Sequence, residues 1–465
     1  MAEYELHCTV SRGAVNHFFE ESQRVGNEIH TLQIWQNGEK LVRIAPSPYS
    51  CTDKRENYSL SKSFTSTAIG FAVEEGLLHT EDRIVDLFPD KLPDEVSDNL
   101  AAMRLSHVLS MNCGHANCVM PYMQSSDDVA RSFLAQPVPF APGTHFTYNT
   151  GATCLLSALI ERVTGESLYD YVNRKLFIPL GISGGYWTKC GEGVNEGGCG
   201  LHLSSDDIVK FGQLYLDGGV WQGKRVISRA WVDEASCSHS DTSANGTPDW
   251  TAGYGYQFWR NAREGYRGDG ACGQMCLILP KYRAVVVAHA MTSDTQKEID
   301  DLVDLVEHLH DPSTKEPVTP AFDLLPASPM PAINAVYRLE PNVYGFTALR
   351  TEAEDDAVRL YFSDGSREQC LSAGCGRWIR SSYVAPHRKP KLLGLMNPAK
   401  PEKVFVASCC TEEDGAWLIR CRHINSPHTE HIRLVPSEDG REAELRFEAD
   451  YFWEDCGKLL KGRRV

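Results

Sequence analysis

The sequence predicts an α+β fold in which an antiparallel sheet is flanked by helices and interrupted by an all-helical insertion, followed by a small all-β C-terminal domain. Strand patterns occur near the N-terminus and return after residue 259, whereas the long segment between them repeats apolar residues at helical spacing. Beyond residue 331 almost every run is short and strand-like. Strands at that spacing are typical of a small barrel or sandwich.

A proline-rich segment separates the two patterns. The chain has 465 residues, enough for two or three domains. Residues 311–331 contain six prolines and no periodicity, which is typical of a linker. We therefore expect a first domain at residues 1–312, a linker at 313–331 and an all-β accessory domain at 332–465.

The first domain opens with a predicted helix over residues 11–25 and a hairpin of two alternating strands around the Asn37-Gly38 turn. The next helix has an apolar stripe and ends near Gly76. Helical patterns follow, including residues 155–163 and a helix opened by a capping box at residues 204–207. Two strands, 275–279 and 284–289, and a helix over 295–310 complete the domain.

Composition limits the classes of partner and compartment. A formal net charge of −16 argues against nucleic acid or an anionic membrane surface as a partner. The N-terminus has no secretory pattern and no run of 18 apolar residues occurs, so a soluble, cytoplasmic protein is expected. Sixteen scattered cysteines are consistent with a reducing compartment. The oligomeric state is left open.

Two groups of residues could be metal ligands or could have a purely structural role. Cys113, His115 and Cys118 lack a second paired set, so they are interpreted as a loop with free thiols. In the C-terminal domain His423, His428 and His431 are interpreted as solvent-facing strand residues. No metal or cofactor is expected.

The strongest chemical signal is a serine followed three residues later by a lysine. Ser59 and Lys62 lie at the start of the predicted helix, on one side and within reach of each other. The positive end of the helix dipole and partial burial disfavour a lysine cation, so Lys62 is expected to act as a neutral amine that activates Ser59.

Two later segments could complete such a site. Tyr148, in a turn-rich loop before a helix, could share proton transfer with Lys62, its phenolate favoured by the nearby cation. Residues 267–274 lead into the strand at 275–279 and are rich in glycine, which lets a substrate approach the backbone. A backbone N–H there, with that of Ser59, would form an oxyanion hole.

The sequence resembles the serine β-lactamase-related family, which includes class C β-lactamases, penicillin-binding-protein-like D-aminopeptidases and esterases. The resemblance covers residues 11–310 and rests on motifs in the family's order, at residues 59–62, 109–114, 142–148, 156–165, 197–206 and 253–259.

The resemblance implies a role for each site residue. Ser59 is the acylated nucleophile, Lys62 its base and Tyr148 the tyrosine of the second motif. The third motif is Gly268-Asp269-Gly270, and the Ala271 N–H joins that of Ser59 in the oxyanion hole.

Two departures from the family's pattern bear on the substrate. The second motif usually reads Tyr-x-Asn, but here Asn149 follows the tyrosine directly and Thr150 has the expected place. The third motif usually begins with Lys or His, but here it begins with Gly268. Without that cation a substrate carboxylate is held poorly unless Arg267 or Arg263 replaces it.

The sequence thus predicts a serine hydrolase that acts through an acyl-enzyme on a small ester or amide, like an esterase or D-aminopeptidase, with weak or absent β-lactamase activity. The alternative is a ligand-binding or sensor protein that keeps the penicillin-binding fold with little or no turnover. The two altered motifs motivate that alternative.

Overall fold

The structure is a computed structural model that describes residues 3–123, 126–190, 193–313, 324–328, 334–342, 344–354, 356–383, 403–449 and 459–465. The chain divides into two compact units, Met1–Pro320 and Ala321–Val465. Most of the predicted linker, residues 314–323 and 329–331, lies outside the described residues.

Twelve strands are found in the described part of the first unit. They are β1 (Glu3–Leu6), β2 (Glu28–Gln36), β3 (Glu39–Ala45), β4 (Arg55–Glu56), β5 (Tyr186–Trp187), β6 (Leu201–Leu203), β7 (Val220–Trp221), β8 (Lys224–Arg225), β9 (Trp259–Arg260), β10 (Tyr266–Gly270), β11 (Gln274–Leu279) and β12 (Ala284–Met291).

The α-helices described in this unit occupy mainly the stretch between β3 and β9. They are α1 (Arg12–Arg24), α2 (Ser61–Glu74), α3 (Ile84–Leu87), α4 (Asp98–Ala102), α5 (Leu105–Leu109), α6 (Met120–Met123), α7 (Val129–Leu134), α8 (Thr150–Thr164), α9 (Leu168–Val172), α10 (Ile178–Leu180), α11 (Ser205–Leu216), α12 (Arg229–Ser236), α13 (Pro248–Thr251) and α14 (Thr295–Glu307).

The main sheet of the first unit is antiparallel, with the order β1-β3-β2-β12-β11-β10-β9. Its strands alternate between two cores, as the two-residue period of a strand requires. On β12, Val286 and Ala288 join the core made with α1 and α14. Val285 and Val287 face the core of the helical insertion. The sheet is therefore covered on both faces.

Three strands of this sheet, β1, β9 and β10, are not predicted by the sequence pattern, and β10 is the one that bears on the site. Residues 267–274 were read as a glycine-rich approach to a single strand, whereas residues 266–270 form β10 and pair with β11 from Tyr266↔Ile278 to Gly270↔Gln274. A short turn at residues 271–273, in which Cys272 and Gly273 have φ values of 64° and 87°, joins the two strands. Ala271 thus lies in the turn directly after β10.

The described strands of the second unit form one sheet with its own core. They are β13 (Ala335–Leu339), β14 (Ala348–Glu354), β15 (Ala357–Ser363), β16 (Glu368–Cys375), β17 (Ile379–Tyr383), β18 (Lys403–Thr411), β19 (Trp417–His423), β20 (Thr429–Pro436), β21 (Glu442–Ala449) and β22 (Leu459–Arg464). Their order is β16-β15-β14-β13-β22-β21-β20-β19-β18-β17, and an additional β16–β18 pairing closes the sheet into a barrel. Buried aromatic residues such as Trp417 and Phe447 fill its interior.

The expectation that the barrel histidines face solvent is wrong for two of them. His423 and His428 are fully buried, whereas His431 is partly exposed. The ring of His423 has polar neighbours that offset its burial: Nδ1 lies 3.0 Å from the Ser426 hydroxyl and Nε2 lies 3.4 Å from the Glu430 carboxylate. No helix among the described residues is long and apolar enough to cross a membrane.

Candidate active site

The chain bends sharply immediately before Ser59. Tyr58 has φ 47°, an uncommon value for a residue with a side chain, and its ring is completely buried. Residues Tyr58–Leu60 form a 3₁₀ turn that continues into α2 at Ser61. Ser59 remains partly exposed at this turn. A buried, strained residue therefore holds the serine at the mouth of α2.

Lys62 lies one turn further along and is buried, with 1% of its surface exposed. Its Nζ is 2.9 Å from Ser59 Oγ, 3.2 Å from Thr150 Oγ1 and 2.6 Å from the Gly198 carbonyl oxygen. Burial lowers the pKa of this amine from its ordinary value, because desolvation penalises the ammonium form. Burial in the structure therefore favours the neutral amine form of Lys62, as the sequence predicts.

The three neighbours of Nζ match the hydrogen-bonding capacity of a neutral amine. Such an amine has two N–H groups and one lone pair. It can donate to the Gly198 carbonyl and to Thr150 Oγ1, while Ser59 donates its hydroxyl hydrogen to the lone pair. In that arrangement the serine proton already points at its acceptor, as an activated nucleophile requires.

Tyr148 is in contact with both members of this pair. Lys62 Nζ lies 4.9 Å from the centre of its ring, and the Ser59 hydroxyl is near enough to its phenol to lower the pKa of Tyr148, against the larger effect of burial. The expected phenolate is wrong, because burial and then the negative charge of Asp269 raise the pKa of Tyr148 far above its ordinary value. Tyr148 is therefore a neutral phenol that can donate a hydrogen bond.

The two candidates for the second-motif position have different surroundings. Thr150 contacts the lysine, as described above, whereas Asn149 caps α8 by accepting a hydrogen bond from Gly151 N at 3.1 Å. The same Asn149 oxygen accepts a hydrogen bond from Val119 N at 3.0 Å, and the side chain is fully buried. The structure therefore places Thr150, and not Asn149, beside Lys62.

Strand β10 runs closely past the start of α2. A Cβ atom on Gly268 would lie 2.6 Å from both Leu60 Cδ1 and Ser63 Oγ, and one on Gly270 would lie 2.1 Å from the Asn57 carbonyl oxygen. Both glycines are therefore required by the close approach of the strand. β9 pairs only with Tyr266 and Arg267, so from Gly268 onward this edge of β10 has no strand partner among the described residues.

Neither arginine proposed as a replacement cation is available to a substrate. Arg267 is fully buried; its guanidinium bonds to the Asp269 carboxylate at 2.9 Å and lies over the Trp250 ring. Arg263 forms ion pairs with Asp304 and Glu307 on α14. This geometry does not supply the condition under which either arginine would replace the third-motif cation.

Sequence reasoning missed a residue that holds three helices of the site together. Gln257 is 2% exposed and has φ 65°. Its backbone oxygen accepts from Ser63 on α2, its Oε1 accepts from Thr153 on α8, and its Nε2 donates to the Leu109 carbonyl on α5. A glutamine in a turn carries no signal of this role in the sequence. The position of Gln257 within the family motif at residues 253–259 could have indicated it.

The cysteine cluster of the sequence does not converge on one point. Cys113 is buried, and its thiol lies 3.7 Å from the His107 carbonyl oxygen. The His115 ring packs edge-on against Phe133, with ring centres 4.8 Å apart. These are the packing contacts expected of structural residues.

Comparison with known proteins places this site in a family context. A protein 25% identical over 283 residues is the 6-aminohexanoate-dimer hydrolase of Paenarthrobacter ureafaciens, with 55% of this chain and 70% of the relative covered. A D-aminopeptidase of Brucella anthropi is 31% identical over 130 residues, which cover 27% of this chain and 24% of that protein.

Solved structures share the fold at low sequence identity. A family VIII carboxylesterase superposes with a TM-score of 0.53 and 18% identity, covering 67% of this chain and 99% of that one. The protein SurE, with D-Leu, superposes with a TM-score of 0.52 and 17% identity over 98% of this chain and 99% of its own. The Beta-lactamase family model matches residues 32–308, more than half of the chain, so the protein belongs to the Beta-lactamase family.

Proposed function

We propose that the protein is a serine hydrolase that cleaves a small ester or amide through an acyl-enzyme. The observation that carries this proposal is the placement of the buried Lys62 amine 2.9 Å from the partly exposed Ser59 hydroxyl, with two other acceptors for its hydrogens. A desolvated lysine at the start of a helix, where the dipole disfavours a cation, does not favour stability in its charged form.

In the acylation step, Ser59 Oγ attacks the substrate carbonyl carbon and its proton passes to Lys62 Nζ. The backbone N–H groups of Ser59 and Ala271 stabilise the oxyanion of the tetrahedral intermediate. When that intermediate collapses, the Lys62 ammonium returns a proton to the leaving group, directly or through the Tyr148 hydroxyl. Water then attacks the acyl-enzyme with Lys62 again as base, which restores the free serine.

The substrate class follows from the charges near β10. Because Arg267 and Arg263 are engaged by acidic residues, the described site offers no free cation to a substrate carboxylate. Esters and amides without a defined carboxylate are therefore favoured over β-lactams. The names of the relatives, an aminohexanoate-dimer hydrolase, a D-aminopeptidase and a carboxylesterase, agree with ester or amide hydrolysis.

We assign the chemistry to the first unit and an accessory role to the barrel. All the residues with proposed catalytic roles precede residue 272, and the described barrel residues contribute no serine–lysine pair of this kind. A cytoplasmic location, which the sequence predicts, remains part of the proposal.

A fluorophosphonate probe tests the proposed nucleophile. We expect labelling of a single serine, Ser59, and a burst of p-nitrophenol from p-nitrophenyl acetate. A Ser59→Ala variant should lose both, while a Ser66→Ala variant, changed in the adjoining helix α2, should keep both. Undiminished labelling of the Ser59→Ala protein would overturn the proposal.

The alternative is a ligand-binding protein that acylates without turning over. It is favoured by the altered second and third motifs, in which Thr150 and Gly268 stand where the family has other residues. Stoichiometric labelling without steady-state product release from a panel of esters, D-amino-acid amides and nitrocefin would support this alternative.

A further inference from the structure

Three side chains with different metal-binding groups meet at the C-terminal end of α12, apart from the proposed catalytic residues. Glu234 lies in the last turn of this helix, Cys237 follows its last residue, and His239 lies two residues further on. One ligand atom from each side chain lies within 4.8 Å of the other two. No other such group of three was found among the residues that the structure describes.

The distances within this group are close to those around a tetrahedral ion. Cys237 Sγ lies 3.3 Å from His239 Nε2, which lies 3.6 Å from a carboxylate oxygen of Glu234. A tetrahedral zinc ion, with bonds of about 2.3 Å to sulfur and about 2.0–2.1 Å to nitrogen or oxygen, separates its ligand atoms by about 3.3–3.6 Å. The three side chains could therefore bind one ion with small movements.

The end of the helix adds a favourable field for a cation. The Glu234 backbone carbonyl oxygen lies 3.2 Å from Cys237 Sγ and 2.8 Å from His239 Nε2, so it faces the same point. Carbonyl groups at a helix C-terminus carry the negative end of the helix dipole. In the metal-free protein this oxygen accepts the Nε2 hydrogen at 2.8 Å, so the His239 ring or this carbonyl must shift before an ion can bind about 2.0–2.1 Å from Nε2.

The backbone around the group is held firmly before any ion binds. The His239 ring stacks on Tyr256, with centres 4.0 Å apart and planes 9° apart. A Cβ on Gly255 would lie 2.6 Å from the Cys237 carbonyl oxygen, and one on Gly253 would lie 2.3 Å from Ser238 Oγ. Such close packing restricts the movement of residues 237–239 and reduces the entropy lost on binding.

We propose that Glu234, Cys237 and His239 form a binding site for one zinc-type divalent ion, with water as the fourth ligand. Thiolate and imidazole favour this class of ion over Mg²⁺ and Ca²⁺, which prefer oxygen ligands. On binding, the Cys237 thiol releases its proton, and the imidazole stays neutral with its hydrogen on Nδ1. The affinity should therefore increase with pH.

The proposed metal site is connected through the backbone to the aromatic residues beside Tyr148. The N–H groups of His239 and Ser240 both donate to the Tyr254 carbonyl, at 2.8 Å and 3.0 Å. The Tyr254 ring packs edge-on against Tyr148 at 6.1 Å. An ion at residues 234–239 would thus stiffen a wall of the candidate active site without touching the reacting groups.

Zinc titration of the full-length protein tests the site. After removal of metals with a chelator, calorimetry should show one Zn²⁺ bound per chain, and Cys237→Ser or His239→Ala should weaken binding at least tenfold. The matched control is Cys8→Ser, which alters another exposed cysteine beside a histidine, His7, whose ring nitrogen lies 4.0 Å from its sulfur. That variant should bind Zn²⁺ as the unaltered protein does.

A second measurement does not depend on the folding of any variant. In the unaltered protein, Zn²⁺ should slow alkylation of Cys237 by iodoacetamide, as measured by peptide mass spectrometry, while Cys8 reacts at an unchanged rate. An excess of Mg²⁺ should not reproduce this protection. Binding that requires millimolar zinc, that persists in both the Cys237 and His239 variants, or that leaves Cys237 unprotected would overturn the proposal.

Discussion

Lys62 has a protonation state that is set by its burial. Because the amine is desolvated, removal of its side chain should abolish the general-base contribution, and Lys62→Ala should slow acylation on the order of 10²-fold or more. Lys62→Arg should fail as well, since a guanidinium stays protonated. Lys175→Ala, which removes a surface lysine paired with Glu75, is the control. Burst kinetics with p-nitrophenyl acetate measure the effect, and an active Arg variant would mean that Tyr148 carries the proton alone.

The pH dependence of acylation should report Lys62. Its pKa is lowered by burial from the ordinary value of 10.5, whereas that of Tyr148 is raised, so the two groups titrate in separate ranges. The reactive form carries the neutral amine, and the rate should therefore rise with pH to a plateau whose midpoint lies below 10.5. A Tyr148→Phe variant should keep this rising limb. Loss of the limb in that variant would assign the titration to the tyrosine.

Substitutions of Thr150 and Asn149 should have different effects, the first on catalysis and the second on stability. Thr150→Val keeps the side-chain shape but removes the hydroxyl beside Lys62 Nζ, so acylation should fall by about tenfold, the effect of one hydrogen bond. Asn149→Ala removes a helix cap and should lower the free energy of unfolding by about 1 kcal/mol. Burst kinetics and urea denaturation on both variants measure the two effects. The opposite pattern would return the second-motif role to Asn149.

At the level of elements, Gln257 links α2, α5 and α8. Gln257→Met preserves the side-chain length but leaves Thr153 and the Leu109 carbonyl without their partner, so we expect a loss of about 1–3 kcal/mol in unfolding free energy. Gln222 is a matched control, because it also has a positive φ of 48° but is exposed. Gln222→Met should be nearly neutral in the same denaturation experiment. Equal effects in both variants would show that the buried amide does not hold the helices together.

The approach of β10 to α2 explains why a cation cannot simply be restored to the third motif. Gly268→Lys would bring a Cβ into Leu60 and Ser63, with an expected cost of about 1–3 kcal/mol and no gain in nitrocefin hydrolysis. Gly270→Ala should be worse than Gly268→Ala, since its Cβ meets the Asn57 backbone oxygen and not the ends of side chains. Thermal melting ranks the two alanine variants. A stable, nitrocefin-cleaving Gly268→Lys protein would contradict this explanation.

Strands and helices whose apolar residues recur with a regular period could be predicted from the sequence. The hairpin around Asn37 and the helix that carries Lys62 are both found where the pattern indicates them. β10 could not be recognised because two of its five residues are glycines, and only its pairing with β11 makes it a strand. His423 lies on the same face of β19 as the buried Trp417, Ile419 and Cys421, so the alternation of that strand could have indicated its burial.

The residues of the site could be predicted from the sequence, but the protonation state of Tyr148 could not. The spacing of Ser59 and Lys62 is local, and one turn of helix brings them together. The protonation state of Tyr148 depends on its burial and then on Asp269, which is distant in sequence, and the choice between Asn149 and Thr150 depends on which side chain caps α8. The contact with Asp269 is long-range and has no signature in a single sequence, whereas an asparagine directly before a helix is a capping signal that could have indicated the role of Asn149.

On the scale of the whole molecule, the two compact units suggest that catalysis and the barrel can be separated. The first unit contains the two hydrophobic cores that cover the two faces of its main sheet, and the barrel has a core of its own. Residues 1–320 expressed alone should therefore melt cooperatively and still react with a fluorophosphonate at Ser59, with changed substrate preference or solubility as the expected consequence of losing the barrel. The Ser59→Ala form of the same fragment controls for non-specific labelling. If the fragment folds, by circular dichroism and cooperative melting, but Ser59 does not react, the barrel must contribute to the catalytic site and its accessory role is wrong.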